Sequence, residues 1–326
     1  MTLSPSLPPT PPFSSLPLQP NGPRGNAWGL YGASDQLGRL NRLTPENTIA
    51  AAREIKHGIR ISTDWPLDKP NIPCFGRAPF ERKIIHKSPR SVNDDVLAFN
   101  TQSSSQWDGF RHFGYQDHKV YFNGCTQEEI HNSTRNGIDV WVENGGIVGR
   151  GVLLDYAYWA ESQARVVSPL TTTKIPLSDL IAVAEAQNVT FRPGDILFIR
   201  TGYLRAFETL TPSDASAFAT APQPTSIGLE ASPATIEWLW ENEFSAVAGD
   251  QPALESLPFD PTNQHWIHEW LLAGWGMPIG ELFDLERLGE ECRRLQKWSF
   301  FFSSVPLKVR RVRSFMRVAL ALALGR

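Results

Sequence analysis

Four short apolar runs, rich in β-branched and aromatic residues, constrain the fold of this chain more than any other feature. They cover residues 149–154, 195–200, 244–248 and 298–305. Apolar runs of this length are typical of buried strands in a sheet that is covered on both faces. The sequence therefore predicts a domain built around a buried sheet.

Helices are predicted in addition to these strands. Thr44 can cap a helix whose first turn contains a proline, and Gly58 can end it. Further helices are predicted to begin near Ser178 and Ser232. Strands and helices do not alternate steadily, and no repeat of about 20 to 50 residues is found. We therefore expect one α/β or α+β domain over residues 27–326.

The first 26 residues differ in composition from the rest. Seven of the first 20 residues are proline, with serine and leucine common among the others. Such a segment cannot bury enough apolar surface to offset the entropy lost on folding. We therefore expect residues 1–26 to form a disordered leader.

Composition excludes several classes of protein. The formal charge is −3 with scattered Lys and Arg residues, so no basic stripe points to nucleic acid. No apolar run approaches the roughly 20 residues that cross a bilayer, and the N-terminus does not resemble a secretion signal. Cys74, Cys125 and Cys292 are too few and too scattered for a disulfide framework. We expect a soluble, cytoplasmic protein that acts on a small molecule.

Residues 102–124 contain the pattern with the clearest chemical meaning. Side chains alternate between two faces in an extended segment, which would place Gln102, Gln106 and Asp108 on one side. His112 is expected to point the same way. An acid, an imidazole and two amides on one face form either one surface of an active site or a hydrogen-bonded group of side chains in the core.

Two later residues are candidates to join this face. His268 precedes an apolar helical run, and Glu281 is an acid among apolar neighbours, where burial requires a partner or a metal. A divalent cation is the simplest agent that would bring Asp108, His268 and Glu281 together, because carboxylates and imidazoles suit zinc, manganese or iron. A hydrogen-bonded acid cluster is the alternative, and spacing alone does not decide between them.

Much of the chain resembles the metal-dependent cyclase-like hydrolases, a family that includes bacterial kynurenine formamidase and isatin hydrolase. The segments that carry this resemblance are residues 28–29, 35–38, 40–41, 43–46, 147–155, 194–202, 228–230, 249–250, 255, 276–286 and 300–307. Each segment is weak alone, but together they are highly specific. The resemblance implies an α/β fold of the swivelling β/β/α type, assembled as a homodimer or homotetramer.

The resemblance also shows where this chain departs from the family. The family's metal motif is His-x-x-x-His-x-Asp followed by Pro-x-His. The corresponding residues here are Gln102, Gln106, Asp108, Phe110 and His112. Two imidazole ligands are replaced by amides, which bind zinc poorly, whereas the family's later His and Glu match His268 and Glu281. We therefore expect the first metal site to be lost, and one weaker site for zinc or manganese to survive at Asp108, His268 and Glu281.

A second departure lies near the C-terminus. The family has a glycine-rich turn before its last strand, whereas this chain has arginine at positions 310, 311 and 313. Arginine lacks glycine's tolerance of positive φ angles, so the turn must differ. This basic cluster would either receive an anionic substrate or be solvated.

Three functions are consistent with these residues. The first is arylformamidase-like hydrolysis of the C–N bond of a small aromatic or cyclic amide, a reaction type of tryptophan catabolism. In it, His112 would move a proton between water and the leaving nitrogen, and Arg200 or Gln106 would orient the carbonyl. The side chains expected to stack against the substrate ring are Trp28, Trp107 and Tyr121.

The second function is a metal-free cyclase or lyase of a specialised metabolic pathway. Gln102 and Gln106 would donate hydrogen bonds to an enolate or carbonyl oxygen, while Asp108 and His112 would act as an acid–base pair. The third is a relative that binds a small molecule or a partner without turnover. Metal content separates the first function from the other two.

Overall fold

An eight-stranded sheet crosses the computed structural model, which describes residues 7–309 and 319–323. The strands are β1 (Ile59–Ser62), β2 (Glu81–His86), β3 (Asn93–Ala98), β4 (Gln106–Asp108), β5 (Val120–Tyr121), β6 (Cys125–Thr126), β7 (Ile147–Asp155), β8 (Lys174–Ile175), β9 (Ile196–Arg200), β10 (Gly228–Leu229), β11 (Ala246–Gly249), β12 (Ile279–Glu281), β13 (Ser299–Ser304) and β14 (Ala319–Ala323). Their order in the main sheet is β1-β14-β13-β7-β9-β11-β12-β4. The strands β7, β9, β11 and β12 are parallel, and β4 lies antiparallel to β12 at the edge.

Short helices connect these strands. They are α1 (Pro45–Ala52), α2 (Gln127–Asn132), α3 (Asp139–Glu143), α4 (Tyr156–Ser162), α5 (Leu177–Ala186), α6 (Tyr203–Glu208), α7 (Pro212–Ala219), α8 (Pro233–Glu241) and α9 (Glu286–Leu295). A π-helix covers Glu269–Trp275, and 3₁₀ turns cover Phe13–Ser15, Gly38–Arg42 and Phe122–Gly124.

Apolar side chains cover both faces of the main sheet. In β9, Leu197 and Ile199 belong to one core cluster, together with residues of α5 and α8. The alternate residues Ile196 and Phe198 belong to a second cluster on the other face. All five residues of β9 are consequently buried, as a strand covered on both sides requires. The predicted α/β architecture is confirmed.

The predicted elements are present with small differences at their ends. All four predicted strands form, as β7, β9, β11 and β13, with ends within two residues of the prediction. Thr44 caps α1 by accepting a hydrogen bond from the Asn47 N–H. However, α1 ends at Ala52 rather than near Gly58, because the next three N–H groups bond to carbonyls three residues back and tighten the chain into a turn.

The predicted disordered leader is wrong for residues 7–26. Phe13 stacks on Trp270 with ring centroids 5.7 Å apart. The Trp240 indole N–H donates to the carbonyl of Pro11 (2.8 Å), and the Phe13 N–H donates to Glu241 (2.6 Å). A proline-rich segment needs no core of its own when its few apolar side chains can pack against an existing one.

The β2–β3 ribbon projects from the rest of the chain. All twelve of its strand residues are exposed, including Ile84 and Val96. The predicted homo-oligomer stays a prediction, as does the role of the arginines at 310–313, which lie outside the described residues. Within the described ranges, no helix is long and apolar enough to cross a membrane.

Candidate active site

Strand β4 carries the candidate site at the edge of the sheet. Its three residues are fully buried, and alternation sends Gln106 and Asp108 to one face and Trp107 to the other. In the register with β12, Gln106 lies opposite Glu281. The extended geometry predicted from the sequence is therefore confirmed for these three residues, and it also brings Glu281 to the same place.

Asp108, His268 and Glu281 meet in a buried cluster. One ligand atom from each residue lies within 4.8 Å of the others. The His268 Nε2 is 3.1 Å from Glu281 Oε1 and 3.6 Å from Asp108 Oδ2. The second distance exceeds a hydrogen bond, so His268 acts on Asp108 through charge. The predicted grouping of these three residues is present.

His268 reaches the cluster from the start of the buried π-helix. This helix type is rare and occurs frequently at functional sites. Two glycines allow the chain to close tightly there: a Cβ on Gly274 would lie 2.6 Å from the Tyr115 hydroxyl, and Gly276 has a φ of +62°. His268 directly precedes this helix, and its Nε2 contacts Glu281 of β12.

Glu255 holds the other side of the His268 ring. Its Oε2 lies 2.7 Å from His268 Nδ1, and its Oε1 accepts a hydrogen bond from the His268 backbone N–H at 3.2 Å. A carboxylate at Nδ1 fixes the ring orientation and leaves Nε2 directed at the acids, as in carboxylate–histidine–metal arrangements. Glu255 is a residue of the site that no sequence spacing identified.

The two amides bond to the acids. The Gln102 Nε2 donates to Asp108 Oδ1 at 2.6 Å, and the Gln106 Nε2 donates to Glu281 Oε2 at 2.7 Å. The Gln106 Nε2 also lies 3.2 Å from the Gln102 Oε1. The amides thus occupy one side of the cluster as hydrogen-bond donors to the carboxylates.

His112 stands at the accessible side of the cluster. Its side chain is 23% exposed, whereas Asp108 is fully buried, and its Nε2 lies 3.8 Å from Asp108 Oδ2. A turn in which the His112 N–H donates to the Gly109 carbonyl (2.8 Å) folds it back towards β4. His112 is therefore placed to contact both the acid cluster and a molecule arriving from solvent.

Three half-buried aromatic rings surround the His268 ring on this side. Phe113 and Phe259 lie 5.4 and 5.6 Å from it between ring centroids. Trp266 lies 5.5 Å from Phe259 and 6.1 Å from Phe113. These rings form an aromatic wall beside the acids. Sequence reasoning missed all three, because they come from two loops that only the fold brings together.

Burial and the neighbouring charges shift the pKa values of the three cluster residues. Burial by itself raises the pKa of Asp108, but the nearby His112 and His268 outweigh it and lower that pKa. Burial and the charge of Asp108 raise the pKa of Glu281 to about 7. Although burial opposes its charge, His268 has a pKa raised well above its usual value by Glu255 and the other acids.

These residues fit one divalent cation. The donor set of two carboxylates and one imidazole suits zinc or manganese. The Asp108 Oδ2 is buried and accepts no hydrogen bond from any described residue, which is a costly arrangement that a cation would relieve. Asp108, His268 and Glu281 supply the three carboxylate and imidazole ligands, and the buried Gln106 Oε1 likewise accepts no hydrogen bond from any described residue.

The raised pKa of Glu281 predicts a pH effect on the stability of metal-free protein. A carboxyl whose pKa rises on folding, here from 4.5 to about 7, stabilises the fold below its unfolded pKa, and this contribution is lost as pH rises through 7. Relative to Glu281→Gln, chelator-treated wild type should lose up to about 3 kcal/mol of unfolding free energy between pH 5 and pH 8. Urea unfolding measures this difference. A pH-independent difference would contradict it.

Three residues predicted to contact the substrate are buried in the core, and their contact with a substrate stays a prediction. Trp107 is fully buried on the opposite face of β4 and donates to the Ser304 hydroxyl (3.0 Å). Trp28 is buried and donates to the Ala273 carbonyl (2.7 Å). Arg200 is buried, and its guanidinium forms ion pairs with Asp155 and Glu286. Each side chain has its polar atoms satisfied inside the core.

Tyr121 lies on the small β5–β6 ribbon. It is half-buried, and its hydroxyl donates to Gln127 (2.6 Å). Its contact with a substrate stays a prediction. The catalytic roles of Gln102, Gln106, Asp108 and His112 also stay predictions, although the structure brings these four residues together.

Known proteins share this fold. The sequence profile described as "Putative cyclase" matches residues 35–256. A solved structure described as a novel cyclase has a TM-score of 0.80 and 28% identity, covering 91% of this chain and 99% of that chain. Isatin hydrolase A from Ralstonia solanacearum has a TM-score of 0.59 and 17% identity, covering 86% of this chain and 98% of that chain. The same enzyme from Labrenzia aggregata, bound to benzyl benzoate, has a TM-score of 0.56 and 15% identity, with coverage of 85% and 98%. A search of curated proteins finds no match.

The profile match extends over most of the chain and includes Gln102, Gln106, Asp108 and Glu255. The structural matches cover most of the chain as well, so the fold predicted from the resemblance is confirmed. The chain belongs to the cyclase family.

Proposed function

We propose that this chain is a metal-assisted amidohydrolase that cleaves a C–N bond in a small aromatic or cyclic amide. One observation carries the proposal. Three separate segments bring one ligand atom each of Asp108, His268 and Glu281 to within 4.8 Å of one another in a buried site. The Asp108 Oδ2 there has no hydrogen-bond donor among the described residues. Such a cluster is costly to keep unless a cation or a reaction uses it.

The three cluster residues would hold one zinc or manganese ion. When bound, such an ion supplies Lewis acidity, which polarises a carbonyl and lowers the pKa of water. Glu255 orients His268 for this role, since its carboxylate occupies Nδ1 and leaves Nε2 for the ligand position.

His112 is proposed to move the proton. It is the imidazole closest to solvent at the cluster, with its Nε2 3.8 Å from Asp108 Oδ2. An imidazole can take a proton from attacking water and give it to the leaving nitrogen. The amide N–H groups of Gln102 and Gln106 lie on the other side of the acids, where they position the carboxylates.

The aromatic wall formed by Phe113, Phe259 and Trp266 supports a planar, apolar substrate. Rings that are half-buried and adjacent to the cluster can stack on an aromatic ring and exclude water from it. Isatin, named in the isatin hydrolases above, is a cyclic aromatic amide, and N-formylkynurenine is an aryl formamide. They are the first two compounds to test.

Hydrolysis should depend on the cation. Purified protein would be assayed with both compounds as isolated, after chelation, and after return of zinc or manganese. We expect turnover of at least one compound to disappear on chelation and to return with metal. Turnover of either compound that survives complete removal of metal would overturn the metal-assisted mechanism.

Glu255→Gln should weaken the site without dismantling it. Loss of the carboxylate at His268 Nδ1 removes the group that fixes the ring, which typically costs about 10- to 100-fold in metal affinity. Calorimetric titration with zinc measures this loss. Glu269→Gln is the matched control: Glu269 is a buried acid next to His268, but it pairs with Arg24 and Gln116 instead. Equal affinity in the two variants would contradict the role of Glu255.

A second function, metal-free cyclisation or elimination, is favoured by one specific observation. The Gln102 and Gln106 N–H groups already donate a hydrogen bond to one oxygen of each acid, at 2.6 and 2.7 Å. In this case Asp108 and His112 would act as the acid–base pair directly. Activity on a pathway intermediate in metal-free protein would select this function over hydrolysis.

A further inference from the structure

The Gln106 amide has one polar atom without a partner inside the protein. Its Nε2 donates to Glu281 Oε2 at 2.7 Å and to Gln102 Oε1 at 3.2 Å, so both N–H groups have an acceptor. Its Oε1 is buried and accepts no hydrogen bond from any described residue. Leaving a buried acceptor without a partner is costly. A ligand with positive charge would remove that cost.

The Gln106 oxygen lies beside the acids of the cluster. The oxygen and nitrogen of an amide share one carbon and are about 2.3 Å apart. Because the nitrogen is 2.7 Å from Glu281 Oε2, the oxygen is within about 5 Å of that acid. Asp108 projects from the same face of β4, and its Oδ2 is also buried without a donor. Two oxygens that accept no hydrogen bond therefore belong to one cluster.

The orientation of the amide follows from the acids. An ionised carboxylate offers only acceptors, so an N–H of Gln106 faces Glu281 and the oxygen is left for another group. Other buried amide oxygens without a donor differ in this respect. The nitrogens of Asn136 and Gln251 donate to the backbone carbonyls of residues 122 and 254. Among the described residues, Gln106 is the one that combines such an oxygen with a hydrogen bond to a cluster acid.

We propose that the Gln106 Oε1 is a fourth ligand of the cation in the cluster and that it favours manganese over zinc. Carboxylate and carbonyl oxygens suit manganese, whereas imidazole nitrogen suits zinc. With Gln106 included, the donor set has three oxygens and one nitrogen. The inference rests on the cation of the proposed function, but it requires no turnover of a substrate.

Two variants separate the Gln106 oxygen from its N–H groups. Gln106→Leu removes both the N–H that bonds to Glu281 and the oxygen without a donor. Gln102→Leu is the matched control: it removes the N–H that bonds to Asp108 at 2.6 Å, but the Gln102 oxygen already accepts a hydrogen bond from Gln106. The difference between the two variants therefore reports the oxygen of Gln106.

Calorimetric titration of full-length, chelator-treated protein with manganese and with zinc measures this difference. We expect Gln106→Leu to lose about ten-fold or more in manganese affinity and less in zinc affinity. Gln102→Leu should weaken both cations by the same factor. Equal losses for the two cations in Gln106→Leu would overturn the proposal.

Bound manganese also reports the number of its ligands. Electron spin-echo spectra in D₂O count the water molecules that are bound directly to the ion. Loss of the amide oxygen should admit one further water in Gln106→Leu, whereas Gln102→Leu should have the same number as wild type. The same number of waters in wild type and in Gln106→Leu would contradict the proposed contact.

A crystal structure of manganese-loaded wild type tests the contact without any variant. The Gln106 Oε1 should lie about 2.2 Å from the ion, and a separation of more than about 3 Å would overturn the proposal. Manganese bound through Gln106 without hydrolysis of either test compound would remove the proposed function alone. Manganese-dependent hydrolysis with the Gln106 oxygen away from the ion would remove this inference alone.

Discussion

Asp108→Asn is expected to lower kcat/KM by about a thousand-fold or more while the protein still folds. Asp108 places a negative charge within reach of both His268 and His112, at 3.6 and 3.8 Å. Asparagine keeps the shape and can still accept the hydrogen bond from Gln102, but it removes the charge that holds a cation. Loss of Lewis acid catalysis costs several kilocalories per mole, which corresponds to this change in rate.

The measurement combines steady-state kinetics with thermal unfolding. Glu269→Gln is again the control, because it removes a buried negative charge from the π-helix that follows His268, and Glu269 pairs with Arg24 and not with the cluster. It should keep its activity to within a few fold. Full activity in Asp108→Asn would show that the acid cluster takes no part in the reaction.

His112→Ala is expected to lower kcat by about 10²- to 10⁴-fold, the usual contribution of a positioned acid–base group. Unlike Asp108→Asn, it should leave zinc affinity nearly unchanged, because His112 belongs to the solvent side of the cluster and not to its three ligands. The loss should be smaller for substrates with better leaving groups, since they need less protonation.

Kinetics and calorimetry on the same preparation separate these roles. His118→Ala is the matched control, because His118 is exposed and packs edge-on against Tyr115. It should behave like wild type in both measurements. Equal kcat in His112→Ala and wild type would exclude His112 as the proton carrier, whereas a loss of zinc affinity would make it a ligand instead.

The sequence predicts the structural features that depend on local patterns, namely buried strands, side-chain alternation and helix caps. The apolar run in β9 is buried on both faces as predicted, and alternation in β4 places Gln106 and Asp108 together. Thr44 and Ser232 cap their helices because a short polar side chain satisfies an N-terminal N–H wherever it stands. Such features need few long-range contacts to be recognised.

Features that depend on tertiary contacts were not predictable in the same way. The alternation that directs Asp108 towards the cluster also directs Trp107 into the core. Arg200 belongs to a buried ion-pair network. Glu255 is 13 residues from His268 along the chain, and no spacing rule connects them. The aromatic wall comes from loops, whose positions only the folded chain determines.

The central claim is that Asp108, His268 and Glu281 hold one divalent cation, and a calorimetric titration tests it most directly. Chelator-treated wild type and Asp108→Asn would be titrated with zinc and with manganese at pH 8, where Glu281, with a pKa of about 7, is largely ionised. We predict one ion per chain for wild type and a loss of at least about 100-fold in affinity for the variant. The absence of binding to intact wild type, or equal binding by Asp108→Asn, would contradict the claim.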